Sequence, residues 1–149
     1  MAHVTEVARY ILTKRGQMSA MRLQKLAYYS QAWHLVFEGE PLFNAEIQAW
    51  ANGPVVRALY DQHRGQFTVT ASTFVGPTRD LKQNERETID AVLDAYGDLN
   101  AQELSNLTHS ELPWIEARKG LSENARSDVT INLSTMQEFY ESVQRSNAL

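Results

Sequence analysis

The hydrophobic pattern is densest from Ser19 to Gly39, SAMRLQKLAYYSQAWHLVFEG. Its first half is amphipathic, and from Leu26 onward Ala27, Tyr28, Tyr29, Ala32, Trp33, Leu35, Val36 and Phe37 leave almost no polar face. A helix apolar nearly all round is a buried one, so this stretch predicts the central helix of the molecule. Its limits are local signals: Ser19 suits the N-cap, Met18 and Leu23 take the staple positions, and Gly39 suits a left-handed turn past the last helical residue.

Amphipathic segments stand on either side. Val4, Val7, Ala8, Ile11 and Leu12 make the buried stripe of a first helix over Thr5–Arg15, which Gly16 ends. After Pro41, the alternation of Ala45, Ile47, Ala49 and Ala51 predicts a short strand. Asn52-Gly53-Pro54 then predicts a turn with Pro54 opening a helix that carries Val55, Val56, Leu59, Tyr60 and His63 as far as Gly65. Gln66 to Leu81 predicts an extended or hairpin-like surface segment. Two capping-box patterns follow, Asn84 with Glu87 and Asn100 with Glu103. The first opens a helix with Ile89, Val92, Leu93 and Tyr96 inward and Gly97 at its end; the second opens a short helix through Thr108. Pro113 starts another, with Trp114 and Ile115 inward. Val129, Ile131 and Leu133 predict a second strand able to pair with the Ile47 segment. The last helix begins at Ser134, with Gln137 in the capping-box position, and buries Met136, Phe139, Tyr140 and Val143. The expected fold is therefore mainly α: a compact single-domain helical bundle, residues 1–149, around a buried central helix, with at most a minor two- or three-stranded β element.

Composition adds exclusions. With no cysteine among 149 residues, there is no disulfide, no thiol nucleophile and no cysteine zinc site. No apolar run approaches the length of a membrane span, and Glu6 and Arg9 interrupt the place where a secretion signal needs its apolar region, so a cytoplasmic protein is expected. A net charge of -4 argues against a phosphate-binding surface. Lys14-Arg15 and Arg118-Lys119 read as cations capping helix carboxyl ends.

The candidate chemistry is sparse. His3 falls in a terminus expected to fray, His34 with Glu38 falls short of a metal set, and His63 suits a helix carboxyl end. His109, Ser110 and Glu111 name the residue types of a hydrolase triad, yet sequence neighbours rarely aim at one another as nucleophile, base and orienter. No glycine pattern cradles phosphate, and the helix that would read DNA is the greasiest in the chain, which argues against nucleic-acid binding. Trp33, Trp50 and Trp114 suit a core, while Trp50 and Trp114, beside proline-containing turns, equally suit anchors for a partner. Neither a metal nor a cofactor is called for.

Four blocks in order, LQKLAYYSQAWHL, PLFNAEIQAWANGPVVRALY, ELSNLTHSELPW and the capped helix with Phe139-Tyr140, resemble the SocA-like, phage-associated GepA family, whose shared region is the Panacea domain. The resemblance runs from about Met18 to Tyr140 and rests on Leu23, Gln24, Lys25, Leu26, Trp33, Pro41, Leu42, Trp50, Gly53, Pro54, Val55, Tyr60, Leu104, Thr108, His109, Pro113 and Trp114. It implies a non-catalytic antitoxin that neutralises a cognate toxin protein encoded by an adjacent gene. Some relatives of this kind act instead as adaptors delivering the toxin to an ATP-dependent protease. Whether Gln24, Lys25, Trp33, Trp50, Gly53, Pro54, Tyr60, Thr108, His109, Pro113 and Trp114 serve the fold or the partner stays open at this level, as does homo-oligomerisation. Partner choice is expected in Gln66–Leu81 and in the turns near Trp50 and Trp114.

Overall fold

The computed structural model describes residues 1–147. Helix α1 (Val4–Arg15) leads through strand β1 (Met18–Ser19) into α2 (Ala20–Glu38); β2 (Ile47–Trp50) and β3 (Gly53–Val56) follow, then α3 (Arg57–His63). Strand β4 (Thr68–Val69) and a 3-10 turn at Ala71–Thr73 precede α4 (Gln83–Tyr96), α5 (Ala101–His109), α6 (Leu112–Ala117) and α7 (Leu133–Asn147). The fold is mainly α, with two small antiparallel pairs, β1 with β4 and β2 with β3.

Helix α2 is the predicted pillar, and its ends are the predicted ones. The Ser19 hydroxyl accepts the Arg22 N–H, and Gly39 turns left-handed at φ 72. Leu23, Leu26, Ala27, Tyr29 and Ala32 lose all contact with solvent, and α1, α4, α5 and α7 pack around them. The enclosure is incomplete, because Phe37 remains 45% exposed at the carboxyl end.

Two buried glutamines, two turns apart on one face of this apolar helix, replace missing strand partners. Gln31 accepts the Leu42 and Phe43 N–H groups at 2.8 and 3.2 Å and donates to Phe43 O at 2.9 Å. Gln24 accepts the Val56 N–H at 2.7 Å and donates to Val56 O at 3.3 Å. Buried backbone groups must find partners, and here a side-chain amide supplies both a donor and an acceptor.

Pro54 does not open a helix; it lies in β3 opposite Ala49, and the helix starts only at Arg57. The two-residue turn Ala51-Asn52 folds β3 back on β2, with Trp50 opposite Gly53. Val56 turns its N–H away from β2 toward Gln24, so by period two the Pro54 nitrogen lies on that outer edge, where no ladder bond is lost. The predicted pairing of Val129–Leu133 with the Ile47 segment forms only as a bridge between Thr130 and Gln48. Ala49 donates to Val129 O and Ile131 donates to Ile47 O, both at 2.8 Å.

Other differences are local. His3 is fixed rather than frayed, its ring accepting the Thr5 N–H while Glu6 returns to the His3 N–H at 2.8 Å. The fourth helix is closed by Glu85 on the Lys82 N–H at 2.8 Å, so it starts ahead of the expected Asn84–Glu87 box. The last helix starts at Leu133, and Asn132 caps it at the Thr135 N–H, while Gln137 reaches Leu35 O instead. Ile115 faces outward at 45% exposure, because on this short helix Pro113 and Trp114 occupy the buried side. The Asn100–Glu103 box forms as expected.

A polar thread runs through the aromatic core. Glu111 accepts the hydroxyls of Tyr29 and Tyr140 at 2.7 and 2.8 Å, and Tyr28 meets Tyr140 at 3.0 Å. Tyr29 stacks on Tyr96 at 4.1 Å, and Tyr96 accepts the Trp33 indole N–H at 2.9 Å. Burial raises the carboxyl pKa of Glu111 above its ordinary range, against the opposing pull of its two tyrosine donors. Burial also pushes Tyr96 up to about 12.

Candidate functional site

Of the eleven family-pattern residues left open between fold and partner, all but Trp33 gather around the β2–β3 hairpin. Gln24 and Lys25 lie beneath it on α2, Tyr60 beside it on α3, and Thr108, His109, Pro113 and Trp114 against it on α5 and α6. Trp33 stands apart, half-buried between α4 and α7.

The hairpin is gripped through its own carbonyls. Arg118 donates to Ala49 O at 2.9 Å, Trp114 to Trp50 O at 2.8 Å and Ser105 to Asn52 O at 2.8 Å. Arg118 is therefore no exposed dipole cap: it is 5% exposed, lies over the Trp114 ring and also donates to Ser122 O and Ala125 O. Periodicity could not have shown this, because these contacts are made with chain segments distant in sequence or irregular in structure.

Beneath the turn lies a buried lysine. Lys25 is fully buried, its Nζ has no hydrogen-bond partner among the described residues, and desolvation lowers its pKa to about 7. Gly53 adopts φ 119, and a Cβ there would stand 2.7 Å from Lys25 Cε and 3.1 Å from Thr108 Oγ1. Only glycine satisfies both the backbone angle and the close approach.

Each histidine is also accounted for. Gln24 Nε2 lies 2.9 Å from His63 Nε2, which makes His63 an acceptor; burial lowers its pKa, so it is neutral and not the dipole-capping cation expected. His34 meets Thr88 Oγ1 at 2.8 Å. His109 stacks on Trp114 at 4.1 Å, and burial, then the nearby Lys25 and Arg118 charges, lowers its pKa. The triad residue types do not assemble: Ser110 is exposed and bonds to Leu107 O, Glu111 turns to the tyrosines, and His109 faces Trp114. Among the described residues no group of histidine and carboxylate side chains is placed to hold a metal ion. Trp50 is half-buried, edge-on to Tyr60 at 4.7 Å, with its N–H held by Gln48 at 2.8 Å.

The segment Gln66–Leu81 forms one two-residue strand, β4, on β1 and the 3-10 turn at Ala71–Thr73, and is otherwise irregular. It is nevertheless fastened at many points. Gln62 exchanges two hydrogen bonds with Val75 at 2.7 and 2.9 Å, Arg9 donates to Phe74 O and Pro77 O, and Arg79 pairs with buried Glu6 at 3.1 Å. From this pinned segment Phe67 projects 80% exposed and Val75 77% exposed.

Fold and site together define a helical domain locked onto a gripped hairpin, with apolar side chains displayed on a fastened loop. The chain belongs to the family described as antitoxin SocA-like, Panacea domain, whose model matches residues 23–115. That range runs from α2 into α6, shorter at both ends than the sequence resemblance, and contains every hairpin residue named above except Arg118. The chain is similar to Antitoxin SocA of Caulobacter vibrioides (strain NA1000 / CB15N), 30% identical over 126 residues that cover 72% of this chain and 66% of that protein. No solved structure matches the chain. No described helix is long and apolar enough to cross a membrane.

Proposed function

We propose that this domain is the antitoxin of a toxin–antitoxin pair and neutralises its toxin by direct, stoichiometric contact in the cytoplasm. The observation that carries this reading is the display of Phe67 and Val75, at 80% and 77% exposure, on a loop fastened to the core. An apolar side chain held out on an ordered backbone loses little freedom on binding, which favours a protein partner. Family membership and the name of the Caulobacter relative point the same way. The whole chain acts as one domain, and the hairpin residues hold the scaffold while the surface chooses the partner.

Co-expression with the product of the adjacent open reading frame tests it. Growth rescue and a co-purified complex are expected; their joint absence overturns the reading. Toxin abundance separates direct neutralisation, which leaves it unchanged, from delivery to an ATP-dependent protease, which lowers it.

A further inference from the structure

Helices α4 and α7 both pack on α2 and hardly touch each other, which leaves a trough of about 260 Å³ over the carboxyl half of α2. Trp33 and Phe37 form its floor, Ala91 and Ala95 of α4 one wall, and Val143 of α7 the other. Trp33 and Phe37 lie 5.7 Å apart, and Phe37 is 45% exposed. The volume is below the roughly 300–1,000 Å³ of sites that enclose small molecules, so it suits side chains inserted from a larger body. Both alanines are exposed, and small side chains on a wall let a second helix backbone come close.

Among the described residues, the exposed charged side chains that flank the trough on α2 and α4 are acidic. Exposed Glu87 and Asp94 flank Ala91 by about one turn on either side, and exposed Glu38 follows Phe37. The basic residue of α7, Arg145, lies about half a turn round from Val143. Arg86 of α4 turns back to Leu81 O, away from the trough.

We infer that this trough is a docking groove for a basic amphipathic helix of the partner protein, with apolar anchors on Trp33 and Phe37 and lysines or arginines along the acidic rim. Under the antitoxin reading, on which the partner's identity rests, that helix belongs to the toxin. The groove then adds a second contact to the one made by the Gln66–Leu81 loop.

A synthetic helical peptide of leucine and lysine, with leucines at i, i+3, i+4 and i+7, is the first probe, and the same peptide with glutamate for lysine is its control. Titration is followed through the Trp33 indole N–H resonance. The lysine peptide should bind about tenfold or more tightly than the glutamate peptide, and Ala95→Arg should weaken it by a similar factor, the weight of a lost anchor. Circular dichroism and the melting temperature should be unchanged, because Ala95 is exposed and arginine is a good helix former. Equal binding of the two peptides, or no effect of Ala95→Arg, overturns the inference. Self-association of the wild type that Ala95→Arg abolishes overturns it in favour of a second copy of this chain.

The second arm uses the toxin. A toxin complex unaffected by Ala95→Arg and by Asp94→Lys removes the groove while leaving the antitoxin reading intact. Failure to form any toxin complex removes the antitoxin reading, and the peptide titration still decides whether the groove takes a basic helix.

Discussion

Lys25 is a charge-bearing side chain placed where charge is not tolerated, and its effect on stability depends on pH. Its pKa is about 7 in the fold against 10.5 ordinarily, so between those values the folded lysine is neutral while the unfolded one holds a proton. The unfolded state therefore binds more protons, and stability rises as pH climbs from about 7 toward 10. The displacement corresponds to a penalty on the order of 5 kcal/mol, fully present at and below neutrality. Urea unfolding at stepped pH should show this rise, and Lys25→Met should flatten it and raise stability at pH 7. Near pH 10 and above, tyrosines such as Tyr28 and Tyr29 reverse the trend, because their raised pKa values keep them neutral in the fold while unfolded tyrosines ionise. A wild-type curve without slope between pH 7 and 9.5 would show that Lys25 keeps its proton through a partner.

At the scale of elements, the hairpin depends on side chains borrowed from helices. Gln24 satisfies Val56 on both its N–H and C=O and also holds His63. Gln24→Leu should fit the space yet strand these buried groups, lowering stability by roughly 2 kcal/mol or more in chemical denaturation. Helix ends were legible in the sequence where the cap is local: Ser19, Gly39, Asn100 and Glu103 signal within one turn. Pro54 was not legible as a strand residue, because its placement depends on a glutamine far back in the chain taking the outer edge of β3. The role of Arg118 is hidden from the sequence for the same reason, since its carbonyl partner on Ala49 is set by tertiary folding. The clue for Gln24 and Gln31 was present: two amides on the buried side of a helix need buried partners. For Gln66–Leu81 the alternation signalled the extended piece that becomes β4 but not its fastening, because the arginine and glutamine bonds that pin it leave no periodic trace.

For the molecule as a whole, the proposed reading places stability and recognition on separate residues. Phe67 and Val75 project from the loop and contribute little to the core, so Phe67→Ser and Val75→Ser should change stability by no more than about 0.5 kcal/mol. If they are anchors, the same changes weaken the toxin complex by about tenfold or more, measured by calorimetry. The hairpin residues should behave in the opposite way, with toxin binding lost only as the fold is lost. On that reading the family signatures would mark the scaffold rather than the contact face, since the motif residues gather around the hairpin and not on the loop.

The contact between Tyr29, Tyr96 and Trp33 also has an optical consequence. Tyr29 stacks 4.1 Å from Tyr96, whose hydroxyl holds the Trp33 indole at 2.9 Å. At such separations excitation absorbed by the tyrosines passes to the indole before it can be emitted. Folded protein should therefore emit mainly as tryptophan when these tyrosines are excited, and Tyr96 should regain its own emission when α4 leaves α2, whereas Tyr29 stays beside Trp33 on α2. The Tyr96 share of the emission is thus an unlabelled reporter of that separation.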